Sequence, residues 1–199
     1  QRDVEANITV LSGDINNDDF NNWGNRLDNT YHVVTGATNA VLDGFVVIGG
    51  YADGGGVDND GAGMYNSGAT NLTVANVIFM DNYASGNGGG MANVMAADVD
   101  VVDAICTANE ANNGAGMYND GSTVDIVNTS FNGNLANSDG GGLYNNGDTA
   151  DCAPVLSGCT FTGNTATNNG GGMYNYDSSV PTATNCTFNG NSATHGRGM

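Results

Sequence analysis

Between residues 40 and 199 the apolar and polar positions keep one recurring register. A short motif returns as IFMDNYA from Ile78, ICTANEA from Ile105, SFNGNLA from Ser130, TFTGNTA from Thr160 and TFNGNSA from Thr187. Its second residue serves as an anchor and gives the series Val47, Phe79, Cys106, Phe131, Phe161 and Phe188, at intervals of 32, 27, 25, 30 and 27 residues. Two positions before the anchor stand Phe45, Val77, Ala104, Thr129, Cys159 and Cys186. Five before it stand Leu42, Val74, Val101, Ile126, Leu156 and Ala183, and seven before it Ala40, Leu72, Val99, Val124, Pro154 and Pro181. Within each half the spacing is two, the side-chain period of a strand. The phase breaks three before the anchor, at Gly44, Asn76, Asp103, Asn128, Gly158 and Asn185, residue types that tolerate a left-handed backbone. A one-residue corner between two short strands is predicted there.

After the anchor, Gly50, Asn82, Asn109, Asn134, Asn164 and Asn191 predict a second corner, followed by a small inward alanine at 52, 84, 111, 136, 166 and 193. Glycine-rich segments (GAGMYN at 61–66 and 114–119, GGGLYN at 140–145, GGGMYN at 170–175) then supply a third strand. It carries Met64, Met91, Met117, Leu143, Met173 and Met199 inward, with Asn66, Asn93, Asn119, Asn145 and Asn175 turning the chain again. Short strands that recur at this period cannot bury a face alone and must stack on their neighbours. The predicted fold is therefore all-β: a right-handed parallel β-helix of about six to seven coils, each of 25–32 residues and three short strands. At about 4.8 Å per coil it makes a rod roughly 30 Å long. Stacked asparagines can hydrogen-bond along such a rod, as in other stacked-strand assemblies. Residues 1–39 read as a first coil or cap, with strands carrying Ile8 with Val10 and Tyr31 with Val33 around an Asp/Asn-rich loop, whose Phe20 and Trp23 plug the open end. Residues 40–199 form one continuous domain. The chain stops at Met199 inside its own repeat, which points to a fragment of a longer repeat protein or to coils that continue end to end into a second copy.

The pairing of GG-x-hydrophobic segments (GGGMYN, GGGLYN) with F-x-x-N segments (FMDN, FNGN, FTGN) resembles the repeats of polymorphic outer membrane proteins, and more widely secreted bacterial right-handed β-helix proteins. The resemblance covers about residues 40–199. It implies a passenger or adhesin-like role at a cell surface and carries over no catalytic residue.

Composition sharpens this picture. Glycine supplies 32 residues, asparagine is comparably frequent, proline appears twice and lysine is absent. The formal charge is −18, with Arg2, Arg26 and Arg197 the fixed positive charges. Nucleic acid and anionic membrane surfaces are thereby poor partners, and no apolar run is long enough to insert in a bilayer. An acidic, aspartate-rich surface fits a secreted or cell-surface protein, with a glycan or protein receptor, or another copy of the chain, as partner.

The candidate chemistry follows from the acids. Like charges stacked a coil apart repel unless a cation lies between them, and hard oxygens in flexible loops suit calcium. GDINNDDF offers Asp14, Asn16 and Asp18 at alternate positions, but Asp19 and Asn25 stand where an EF-hand has its glycine and glutamate. Asp98, Asp100 and Asp125, with Asp103 nearby, form a second acidic group, because Asp100 and Asp125 share a column in adjacent coils. Calcium binding and a solvated acidic surface are the two readings. Catalysis is not expected. Uronate lyases need a cationic base or neutralising cations, and residues 40–196 contain no Lys or Arg. His32 and His195 lie far apart in the stack. Tyr65, Tyr118, Tyr144 and Tyr174 form an outward column, read either as a platform for sugar rings or as a cross-coil aromatic ladder. Scattered threonines make ice binding a poor fit. Cys159 and Cys186 share one inward column, as stacked thiols or a strained disulfide, while Cys106 reads as core and Cys152 as a loop residue. The sequons at Asn7, Asn71, Asn128 and Asn185 are no more than this composition produces by chance. The leading functional reading is a non-catalytic extracellular scaffold, with a carbohydrate-binding or carbohydrate-active β-helix as the alternative.

Overall fold

The computed structural model describes residues 8–19, 25–148 and 152–199. Phe20, Trp23 and Asn7, singled out above, lie outside the described residues. The rest forms a parallel β-solenoid of about six coils with four faces, each a sheet of short parallel strands of seven, six, six and five members. One coil shows the path. Leu72–Ala75 lies in the first sheet, Ile78–Met80 in the second, Tyr83–Asn87 in the third and Met91–Val94 in the fourth, before Asp98–Val102 re-enters the first sheet one layer on. The coil thus has four strands rather than the predicted three. The alanine column, expected to follow a corner, sits in a sheet of its own in which Ala52, Ala84, Ala111, Ala136 and Ala166 pair in succession.

The expected register holds across the stack. Val47, Phe79, Cys106, Phe131, Phe161 and Phe188 are successive Cα partners, and Val74, Val101, Ile126 and Leu156 pair likewise. All but Phe188 in these two runs are fully buried. The corner residues Gly44, Asn76, Asp103, Asn128, Gly158 and Asn185 all have φ between 50° and 73°, as the phase break required. At the second corner the left-handed residue comes one position earlier than expected, at Gly49, Asp81, Ala108, Gly133, Gly163 and Gly190. The asparagines after it lie in the interior. Asn66, Asn93 and Asn119 are likewise buried strand residues, and the chain turns after them, at Gly68, Met95 with Ala96, and Gly121.

Asn109, Asn134 and Asn164, which follow the second corner, use their full side-chain hydrogen-bonding capacity. Asn109 Nδ2 donates to Asn134 Oδ1 (3.1 Å) and to the Phe79 carbonyl (3.0 Å), while Asn109 Oδ1 accepts from the Asn82 backbone N–H (3.2 Å) and Nδ2 (3.0 Å). The same four-bond unit repeats at Asn134 and Asn164. A second ladder runs from Asn66 through Asn93, Asn119 and Asn145 to Asn175, at 2.7–2.9 Å per rung. Glycine is needed where the two motifs meet. A Cβ on Gly116 would stand 2.4 Å from the Gly142 carbonyl oxygen, 2.9 Å from the Phe131 ring and 3.1 Å from Asn134 Nδ2, and Gly142 meets Gly172, Phe161 and Asn164 in the same way. Each GGxM segment is thus the floor on which the next F-x-x-N packs, which is why the two recur together.

Thr9–Ser12 joins the second sheet against Phe45–Ile48, and Val34–Thr35 joins the fourth, so the first 39 residues contribute a coil to the same stack. Their phase differs from the expected one. Leu11 pairs with Val47 and faces the core, whereas Ile8 and Val10 are exposed, because a one-residue shift turns every side chain over. Val33 and Val34 pack on the core, while Tyr31 is exposed. At the other end Met199, assigned to a core column, is 63% exposed.

Replacing Phe131 with Asp places an unpaired charge in this interior and is expected to cost more than about 4 kcal/mol, whereas Asn132→Asp, on the exposed face, should stay within about 0.5 kcal/mol. Asn134→Ala removes the partner of the Asn109 backbone N–H, of one Asn109 amide hydrogen and of the Cys106 carbonyl, and is expected to cost roughly 3 kcal/mol. Denaturant melts of the three variants measure the differences, and equal losses at 131 and 132 would disprove the register.

Candidate functional site

The two acidic groups fare differently. Asp100 and Asp125 are direct Cα partners on the outer face of the first sheet, as the columns required, with Thr73 and Val155 as their other neighbours. Both are exposed, as is Asp98, which lies opposite Thr123. Asp103 is occupied at its corner, accepting from Asn128 Nδ2 at 3.2 Å. No third carboxylate converges on the Asp100–Asp125 pair among the described residues, so this group is an exposed charge pair and not an enclosed site.

The N-terminal loop brings its acids together. Gly13 is fixed to the second coil through the Ile48 carbonyl (2.8 Å), Asn17 turns the chain in a left-handed conformation (φ 54°), and Asn25 takes one as well (φ 65°). Asp14 accepts the backbone N–H groups of Asp18 (3.2 Å) and Asp19 (3.3 Å), one on each carboxylate oxygen. Asp14, Asp18 and Asp19 each bring a carboxylate oxygen within 4.8 Å of the others. Asn16, predicted beside Asp14 and Asp18, instead donates its amide to Asp28, and its place in the acidic group falls to Asp19. The sequence signal for Asp19 was present, but the test against an EF-hand spacing discounted it. Arg26 stands 3.7 Å from Asp19 and donates to the Asp81 carbonyl at 2.9 Å. Beside the acids lies a cleft of about 510 Å³ lined by Asn16, Asp18, Asn25, Arg26, Asp28 and Tyr51. Tyr51 stacks on Tyr83 in the next coil, centroids 4.9 Å apart, an aromatic pair the sequence reading did not single out.

The tyrosine column is largely closed to solvent. Tyr65, Tyr118 and Tyr144 are 7%, 8% and 9% exposed, too covered to offer a ring face to a sugar. They stack instead: His32 on Tyr65 at 4.9 Å, Tyr118 on Tyr144 at 5.2 Å, and Tyr144 edge-on to Tyr174 at 5.2 Å. Tyr174 is half-buried, and Tyr176 beside it is exposed. Burial pushes the Tyr118 hydroxyl up to about 12, helped by the Asp120 carboxylate and opposed by a hydrogen bond from Asn146. Burial also raises Tyr65 and Tyr144. An outer ladder flanks the column: Asp60 accepts the Asn87 N–H (2.6 Å), Asn113 bonds Asn87 (2.9 Å), and Asn169 bonds Asp139 (2.6 Å). Burial raises the Asp60 carboxyl, and the Asn87 bonds offset part of that rise.

All four cysteines are thiols. Burial pushes Cys106 up to about 12 and Cys159 up to about 11, which keeps both protonated and inert at neutral pH. Cys152, read as a loop residue, is buried. No protein-family model, curated protein or solved structure matches this chain.

Alkaline titration tests the covered tyrosines. An unfolded tyrosine loses its proton near pH 10 and folded Tyr118 near 12, so in that window the folded state holds the extra proton and stability falls as pH rises. Thermal melts should be steady up to about pH 10, then drop toward pH 12. Tyr118→Phe should flatten the slope, and an unchanged slope would show that this ring ionises as freely as in the unfolded chain.

Proposed function

We propose that this protein is a non-catalytic extracellular scaffold, a stiff acidic rod that serves as a stalk or adhesive segment at a cell surface or in the secreted space. The observation that carries the reading is the interior: its columns and the saturated asparagine ladder from Asn82 to Asn191 commit each coil to stacking and leave recognition to loops and outer faces. The charge of −18 keeps such a rod soluble and directs it away from anionic partners. The GGxM and F-x-x-N pairing, which resembles the repeats of polymorphic outer membrane proteins, supports a bacterial surface setting. No helix among the described residues is long and apolar enough to cross a membrane.

A second reading, a carbohydrate-binding surface, draws on the cleft beside Tyr51. The Tyr51–Tyr83 stack, Arg26 and the carboxylates Asp18 and Asp28 combine an apolar ring edge with hydrogen-bonding groups, the usual composition of a saccharide site.

Beads coated with the protein, tested on glycan arrays and matrix proteins, should be retained without any release of reducing ends or unsaturated uronates from neutral and acidic polysaccharides. Turnover of a polysaccharide would overturn the scaffold reading. Saccharide retention lost in Tyr51→Ala, with an unchanged melt, would favour the second.

A further inference from the structure

We propose that Asp14, Asp18, Asp19 and Asn29 form a calcium site that clamps the N-terminal loop to the first coils. The acids alone would not carry this; the unfilled oxygens around them do. Asp18 accepts from Asn25 Nδ2 on one carboxylate oxygen (3.1 Å), and Asp19 accepts from Asn29 Nδ2 on one of its own (2.9 Å). The second oxygen of each, Asp18 Oδ1 and Asp19 Oδ1, is buried without a hydrogen-bond partner. Asn29, only 7% exposed, is in the same state. Its amide nitrogen donates to Asp19 and to the Gly49 carbonyl (2.7 Å), leaving Oδ1 buried and unpartnered. Covalent geometry keeps that oxygen within about 5 Å of the Asp19 carboxylate. Three buried oxygens without donors, on residues tied together by the Asp14 and Asn29 hydrogen bonds, are what a cation would satisfy and hydrogen bonds here do not.

The distances and charges agree with this assignment. Oxygens around calcium lie about 2.3–2.6 Å from the ion, so two on opposite sides are separated by about 5 Å. One oxygen from each of Asp14, Asp18 and Asp19 falls within 4.8 Å of the other two, and such a trio fits one coordination sphere. Three carboxylates against the single guanidinium of Arg26 leave two uncompensated negative charges, matching one divalent ion. An irregular loop supplying carboxylates and an amide carbonyl, with water completing the shell, suits calcium's flexible six to eight ligands better than the rigid octahedron of magnesium. Asn29 binds Gly49 and Arg26 binds Asp81, so the ion would tie the loop to the second and third coils.

Isothermal titration of the chelator-treated protein with calcium chloride is expected to show one site with a Kd of about 0.1–1 mM, the range of extracellular modules, and calcium should raise the melting temperature by mass action. Asp18→Asn with Asp19→Asn should weaken binding at least about tenfold, whereas Asp100→Asn with Asp125→Asn should leave it unchanged. Amide chemical shifts of the unmodified protein provide a readout that no variant can confound by misfolding. Calcium-induced changes should concentrate on residues 13–19 and 25–29 and on the Asn29 side-chain amide. Absence of binding heat and of a melting shift overturns the proposal, as does retained affinity in the Asp18/Asp19 variant or shifts centred on Asp100 and Asp125.

Discussion

The structure depends on one repeated unit, a buried asparagine that uses its whole hydrogen-bonding capacity along the rod axis. At each second corner the backbone leaves the sheet pattern, and the N–H of residue 82, 109, 134 or 164 would be buried without a strand partner. The next coil's asparagine oxygen accepts that N–H, and its amide nitrogen reaches back to the anchor carbonyl of the same preceding layer while also donating forward to the following asparagine. Each rung therefore joins three layers, and none can be lost without leaving buried donors or acceptors unpaired. Aspartate there would lose both donors and add a buried charge; leucine would strand four partners.

That unit fixes what can vary. From seven residues before the anchor to five after it, the spacing is the same in every coil, because both corners and the ladder lie within it. Length changes are confined to the other two connections. The stretch from Ala52 to Met64 is about twice as long as its equivalents and holds the 3-10 turn Gly56–Asn59, and the stretch from Leu143 to Pro154 is extended between the fourth and first sheets. The uneven intervals between anchors are thus a stack of constant geometry with inserts at two edges.

The same logic explains which features could be read from the residues. Anchors, corners and their register were legible because each position has one environment repeated six times, so chance cancels and the column remains. Gly44 and Gly158 share a column with Asn76, Asp103, Asn128 and Asn185, and only a left-handed backbone unites those types. The additional strand, in the third sheet, was hidden because its inward residue is an alanine, which carries little hydrophobic signal. Ile8 and Val10 misled for the opposite reason: they are apolar but outward, beside Val46 and Ile78 on the outer face of the second sheet. The loop cluster was half legible. Asp14 and Asp18 stood out, but Asp19, Arg26 and Asn29 come together through tertiary contacts with Gly49 and Asp81 that no local spacing encodes.

A repetitive interior also restricts where recognition can evolve. A residue in a stacking column faces the same neighbour above and below, so a change suited to a ligand disturbs two interfaces at once. Tyr118 illustrates this, since its ring is spent on Tyr144 and its hydroxyl on Asn146. Inserts escape that constraint, and two of them stack at one corner. The loop carrying Asp14, Asp18 and Asp19 lies on the path from the second to the fourth sheet in the first coil, and the turn around Gly56 occupies the same connection one layer on. Tyr51, bonded to Thr30, and Asp58, paired with His32 at 3.9 Å, bind the two together. The acids, the arginine and the half-buried aromatic pair meet there because it is the part of the rod where the chain is not obliged to repeat itself.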